Sequence, residues 1–343
     1  MIHAGLTSII LFATVLLLLV VSPAVAESGK TFDTFTLYWE NDLFIRTDRD
    51  YTNGIKFTWS TPYEGDATPS HLPQWSQAVI RTLPFVSDTD ARAFSMSLGQ
   101  SIYTPADITR SDVIADDRPY AGITYLALGF HGIKGNHRIN WEIDMGMIGP
   151  LSYAEQTQKS VHRITGSQQA QGWSHQLHNE LGLEVIGESQ WRTFHGENVR
   201  GFNYDLITHL GGRLGNVQIY ANTGAEVRVG WNLPGDFGSC PIRPGCETNS
   251  GDVERKTDGL LGVHLFTAVD GRLVIRDIFL DGNTFGNSHS VDKELFVADV
   301  MAGFALEYGN FKLSYSYVLR TKQFKTQQDD QIFGTLSLSW SYD

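Results

Sequence analysis

The chain is poor in cysteine, poor in basic residues, and has a single long apolar run. Its two cysteines, Cys240 and Cys246, enclose Pro-Ile-Arg-Pro-Gly. No further ligands stand beside them at a metal-binding spacing. Their expected use outside the cytoplasm is therefore a local disulfide that closes one loop. The apolar run, from Leu6 to Val21, is followed by Ala24-Val25-Ala26, a small-x-small cleavage site, although no Lys or Arg precedes the run. This predicts a secretory signal over residues 1–26 and one mature domain over 27–343. Past residue 26 no run approaches the ~18 apolar residues of a membrane helix, which excludes an ordinary helical membrane protein. A membrane barrel is not excluded, because its strands take only about 9–11 alternating residues each. Lys and Arg number 26 against 38 Asp and Glu, and a net charge of −12 argues against nucleic acid as a partner. Also missing are Gly-x-Ser-x-Gly, His-Glu-x-x-His and a phosphate-cradling glycine loop, so no spacing asks for the chemistry those motifs carry.

What the chain has is alternation. Phe35, Leu37 and Trp39 alternate with Thr34, Thr36 and Tyr38; after a polar segment, Ile55, Phe57 and Trp59 alternate with Lys56, Thr58 and Ser60. The pair reads as a β-hairpin. Farther on, Ile139, Trp141, Ile143, Met145 and Met147 oppose Asn140, Glu142, Asp144 and Gly146. An apolar row opposite an acidic row suits lipid on one side of a strand and a wet lumen on the other. Leu336, Leu338, Trp340 and Tyr342 alternate with Thr335, Ser337, Ser339 and Ser341 in an aromatic-ended last strand. Thirteen stretches have strand character, whereas single-chain bacterial barrels have an even number, with short turns on one side and long loops on the other. Placing 134–137, 211–216, 270–271, 309–310 and the 61–90 connection on the short-turn side reduces the count to twelve. In that scheme 183–191 becomes an outer extension, and 260–269 and 273–280 are separate strands. The expected fold is an all-β, antiparallel transmembrane β-barrel of about 12 strands with a short helix in an extracellular loop. Segments 41–52, 102–121, 150–201 and the cysteine loop would then gather at its outer mouth.

Chemistry-bearing residues collect in those segments. Asn41, Asp42, Asp48, Asp50 and Thr52 crowd oxygen-bearing side chains into one hairpin connection. Asn and Asp are ordinary turn residues, but at a barrel mouth such oxygens also suit calcium. A calcium ion could polarise an ester carbonyl, and a histidine could activate water, a contribution of roughly 10²–10⁴-fold. His3 leaves with the signal, His137 falls in a turn, and His209 and His264 lie within strands. His162, His175 and His178 share the excursion from Pro150 to about Glu180. Ser152-Tyr153-Ala154-Glu155 matches a capping box, and Gly166 is placed to end the helix it starts. His162 is thus the one on a rigid mount, which favours it over the other two without removing them.

Five blocks occur in a fixed order: Asn41-Asp42 before Asp50-Tyr51-Thr52-Asn53-Gly54; Gln100-Ser101-Ile102-Tyr103-Thr104-Pro105; Asp117-Arg118-Pro119-Tyr120-Ala121-Gly122; Ile148-Gly149-Pro150; and Val161-His162-Arg163-Ile164. As a set they resemble the lipid A deacylase family, outer-membrane barrels that remove the 3′-linked acyloxyacyl chain of lipid A. The resemblance implies a twelve-stranded barrel in the bacterial outer membrane and a calcium-dependent ester hydrolysis like that of secreted phospholipases A2. It implies an active-site pair at Asn41 and Asp42, a threonine at Thr52 and the histidine at His162, with Asp42 helping to hold the ion. The implied partner is lipid A or lipopolysaccharide, and a monomer is expected. The chain departs from the pattern at Gln168, where an acidic residue follows the histidine in the family, and at Arg110, a single substrate-binding candidate where the family has a basic pair. The alternative class is a non-enzymatic barrel, a small pore or a ligand-binding or adhesion protein.

Overall fold

The computed structural model describes residues 32–42, 50–65, 74–197, 202–238 and 261–342. The expected signal (1–26) and the two cysteines lie outside the described residues. Twelve strands run β1 Thr34–Asn41, β2 Asp50–Ser60, β3 Ala91–Thr104, β4 Ala121–Lys134, β5 His137–Ile148, β6 Glu180–Glu197, β7 Phe202–Gly215, β8 Gln218–Trp231, β9 Gly262–Asp277, β10 Phe296–Tyr308, β11 Phe311–Arg320 and β12 Gln331–Ser341. Each pairs antiparallel with its neighbours in sequence, and β1 closes on β12, from Thr34 opposite Ser341 to Asn41 opposite Gly334. Closure leaves no edge strand, the condition for a sheet to stand in lipid with every backbone group satisfied.

Alternation sorts the side chains. Inward residues are polar and buried: Lys56 lies 3.9 Å from Glu142, and Arg213 lies 3.2 Å from Asp144 and 3.5 Å from Glu184. Arg272 and Arg320 both reach Asp299, at 2.7 and 2.8 Å. These pairs line a lumen that holds a cavity of ≈ 110 Å³. Outward residues are apolar and exposed, including Leu98, Leu126, Met145 and Leu183, which the register aligns in one row across β3, β4, β5 and β6. Three α-helices stand among the described residues, α1 Gln74–Ile80, α2 Ala154–Thr165 and α3 Ile278–Asp281. The short α3 closes the mouth opposite the chain termini from within, and its Phe279 stacks on Tyr103 with ring centroids 4.0 Å apart.

The count of twelve holds, but two assignments behind it do not. Residues 183–191 belong to β6, a full wall strand paired with β5 and β7. Residues 260–269 and 273–280 are not two strands, because β9 runs straight through Asp270-Gly271. Asp-Gly reads as a turn signal, yet here Asp270 faces the lumen and takes hydrogen bonds from Asn222 and His209, 3.1 and 2.7 Å away. A polar residue in mid-strand is normal on a wet face. Two side assignments change as well. β7 extends to Gly215 and turns at 216–217, which puts that short turn at the mouth opposite the termini. The 232–261 connection, which contains the cysteines, leaves and rejoins the wall at the termini-bearing mouth, not the outer one.

Candidate active site

At the mouth away from the termini, the outward face of β1 to β4 stops being apolar. Trp39, Asn41 and Asn53 share one side of the β1–β2 pair: Trp39 Nε1 and Asn41 Nδ2 both donate to Asn53 Oδ1, at 3.1 and 3.0 Å. Next to them the β2–β3 register slips between Tyr51 and Asn53, making Thr52 the extra residue of a β-bulge. The bulge lets Tyr51 turn into the lumen, while Thr52 bonds Thr104 through their hydroxyls at 2.7 Å. Thr104 follows lumen-facing Tyr103, so this contact sits on the outward side. Asn41, Asp42, Thr52 and Thr104 are all buried, Asp42 completely. A bulge re-aims side chains, and here it gathers amide and hydroxyl groups at the rim beside a buried carboxylate. Asp48, also read from the sequence, lies outside the described residues.

Over this face lies a helix, α2 (Ala154–Thr165), which buries Ala154, Gln158 and His162 along one stripe. The spacing of four keeps the three on one side of the helix. It packs on the outward wall rather than over the lumen, since Ala154 joins Ile102, Ile108, Tyr120, Ala170 and Trp173 in one apolar cluster. Gly122 of β4 permits this approach, because a Cβ there would meet the Ala154 methyl at 2.0 Å. The expected capping box does not form. Ser152 closes a 3-10 turn (Pro150–Ser152), Tyr153 caps the helix in the left-handed conformation, and Glu155 pairs with Lys159 at 2.6 Å. Gly166 does end the helix, at φ 74°, with its N–H on His162 O.

That C-terminal turn also holds the imidazole. Ser167 N donates to His162 O at 3.0 Å, and Gln168 O lies 2.5 Å from His162 Nδ1. A carbonyl only accepts, so Nδ1 carries a proton, and in the neutral ring the lone pair is on Nε2. Gln168 therefore contributes its main chain to the histidine. One turn before His162, Gln158 is buried with Oε1 accepting from Trp173 Nε1 at 2.7 Å, and its Nε2 has no hydrogen-bond partner among the described residues. The sequence reading missed Gln158; its spacing of four from His162 on a capped helix was the available signal.

Arg110 sits apart, exposed on the β3–β4 loop and paired with Asp112 at 2.5 and 3.1 Å. Hydrogen bonding to Arg110 holds the Asp112 carboxyl below its ordinary range. The same loop is tied across the mouth. Arg118, fully buried, donates to Gln323 at 2.8 Å, and His289 Nε2 donates to Asp117 O at 2.6 Å. His175 and His178, the other histidines of the excursion, are not on the buried stripe of α2. A different histidine chain occupies the lumen: Ser95 Oγ is 2.8 Å from His131 Nε2, and His131 Nδ1 is 2.8 Å from Asn140 Oδ1. All three are buried to 1% exposure or less near the termini-bearing mouth, which suits a packed polar network.

For a cation, the rim offers oxygen donors only: the Asp42 carboxylate, the Thr52 hydroxyl, and the amide oxygen of Asn41, whose nitrogen is spent on Asn53. That donor chemistry fits calcium, which also takes amide and main-chain oxygens. Among the described residues no three His, Cys, Asp or Glu side chains converge in a metal cluster.

The carbonyl anchor predicts an Nδ1–H tautomer for His162, readable by ¹⁵N NMR of the imidazole. Gln168→Ala keeps the carbonyl and should leave the tautomer unchanged. A switch to Nε2–H in that variant would mean that the side chain holds the ring.

A family model described as outer membrane protein LpxR matches residues 11–342. Among solved structures, LpxR from Salmonella typhimurium superposes with a TM-score of 0.70 at 22% identity, covering 90% of this chain and 100% of that one. The β domain of the Bordetella autotransporter BrkA reaches a TM-score of 0.43 at 7% identity, covering 91% and 98%. No curated protein sequence gives a significant match. With a family match over nearly its whole length and a closed barrel of twelve antiparallel strands, the chain belongs to the LpxR family of outer membrane proteins.

Proposed function

We propose that the protein is a calcium-dependent lipid A 3′-O-deacylase, hydrolysing the ester of the 3′-linked acyloxyacyl chain. The observation that carries this reading is the placement of His162. It is buried against the outward wall with Nδ1 bound to Gln168 O, in a chain of the LpxR family. A general base needs a fixed ring and an acceptor nitrogen directed at water. The Gln168 carbonyl sets the tautomer, and α2 fixes the ring against the wall.

In the proposed reaction His162 Nε2 takes the proton of a water as the water attacks the ester carbonyl. The resulting imidazolium, stabilised through Nδ1–H on the carbonyl, returns the proton to the leaving sugar oxygen. Gln158 Nε2, a buried donor one turn away, faces the same stripe and is suited to stabilise the developing oxyanion. Asp42, with Asn41 and Thr52, would hold the cation, which when bound polarises the ester carbonyl. Arg110 would meet a substrate phosphate by exchanging it for Asp112. Because α2 covers the outside of the wall, the substrate enters sideways from the membrane and has no need of the lumen. A pore fits the structure less well, since charged side chains pair along the inner wall and the Phe279–Tyr103 stack lies at one mouth.

Mass spectrometry of lipid A after expression in the outer membrane tests the activity. The wild type should release the 3′ acyloxyacyl chain, and His162→Ala should reduce release by at least ~10²-fold. Unchanged release in that variant would remove His162 from the mechanism. Gln158→Leu should cost ~10²–10³-fold in kcat with little change in KM. The cation is tested without turnover. Calcium should raise the melting temperature of the purified barrel over the chelated sample, and Asp42→Asn should abolish the increment. An increment that survives Asp42→Asn would place the ion elsewhere.

A further inference from the structure

Two polar side chains stand on the outward wall where the strands below them are apolar. Gln100 of β3 and Thr124 of β4 are register partners, one row nearer the mouth than the exposed pair Leu98 and Leu126. Facing lipid, a polar side chain is costly unless its hydrogen bonds are met. Theirs are met by one acceptor: Gln100 Nε2 donates to Ser152 O at 2.7 Å, Thr124 Oγ1 donates to the same oxygen at 2.7 Å, and Gln100 Nε2 also donates to Thr124 Oγ1 at 3.0 Å. Ser152 is the last residue of the 3-10 turn that leads into α2, and its own hydroxyl bonds Gly149 O at 2.6 Å and accepts the Ala154 N–H at 3.3 Å. The turn is thereby tied to the wall on one side and to the start of the helix on the other. Gly122, immediately above Thr124 on the outward face of β4, receives the Ala154 methyl.

We infer that Gln100 and Thr124 are positioning residues for His162, acting through the Ser152 carbonyl to fix the angle at which α2 leaves the wall. This inference rests on the proposed role of His162. Its strength comes from leverage. His162 lies eight residues beyond Ala154, about 12 Å along the helix axis. A tilt of about 10° at the first turn would therefore move the imidazole by about 2 Å, using the same helical rise. A displacement of about 1 Å can cost about 10²-fold in rate. The opposite end of α2 fixes the ring relative to the helix, through Gly166, Ser167 and Gln168. The clamp at Ser152 fixes the helix relative to the wall and hence relative to Asn41, Asp42 and Thr52.

The test compares full-length Gln100→Leu, Thr124→Val and Thr124→Ser in detergent, with two measurements on each. Amide hydrogen exchange over 154–165 should quicken in Q100L and T124V, while exchange in β3 and β4 stays at the wild-type rate. In turnover of lipid A, both variants should lose about 10–100-fold in kcat with KM within about twofold. T124S, which keeps the hydroxyl, should restore both readouts to near wild type. The double variant Q100L/T124V should fall short of the product of the single losses, because both side chains serve one carbonyl. Unchanged helix exchange in Q100L and T124V would overturn the clamp, and faster exchange with undiminished kcat would overturn its positioning role. Equal losses in T124S and T124V would also overturn it, since the hydroxyl would then be irrelevant. A wild-type protein inactive on lipid A would sink the deacylase reading instead, and the exchange comparison would still decide the clamp.

Discussion

The structure depends on closure of one hydrogen-bonded ladder. Once β1 pairs with β12, the side-chain period of two is locked around the whole barrel, and each residue is committed to lumen or membrane. The lumen side can then hold Lys56, Arg213, Arg272 and their carboxylate partners without any of them meeting lipid. The membrane side must be apolar, except where another part of the chain covers it. The Pro150–Ser152 turn and α2 provide such cover above β3 and β4, and polar groups collect there.

From that cover the site follows. The bulge at Thr52 breaks the period once, turning Tyr51 inward and leaving Thr52 with Thr104 on the outer side. Gly122 brings the helix backbone close, and Gly166 returns the chain so that Gln168 O can grip His162. Each contact is local, but together they hold the His162 imidazole on the outside of a barrel. The lumen, by contrast, is lined by paired charges around a cavity of ≈ 110 Å³.

Much of this was legible in the sequence because period-two alternation is a strong signal. The apolar row Ile139 to Met147 and the closing row Leu336 to Tyr342 mark wall strands directly, and the ordered blocks around Asn41, Thr52 and His162 mark the candidate site. Other features were obscured for identifiable reasons. Asp270-Gly271 imitated a turn because a lumen-facing carboxylate beside a glycine has the composition of one. Residues 183–191 read as an outer extension only if turn length reports the side of the membrane, and the two-residue turn at 216–217 breaks that rule. Ser152 satisfied the pattern of a capping box, yet its hydroxyl bonds Gly149 O, and its carbonyl serves the wall. Gln168 looked like the loss of an acidic partner. A main-chain carbonyl fills that place, and no side-chain pattern records it.

In the proposed reaction, substrate meets His162 on the membrane side of the wall. A photocrosslinking residue tests it most directly, placed either at Met147, on the outward face of β5 beside Thr124, or at Tyr125, in the lumen. Irradiation of the barrel in lipopolysaccharide-containing membranes should attach lipid A at position 147 and leave position 125 unlabelled. Capture at 125 with none at 147 would contradict the account, because the substrate would then enter through the lumen.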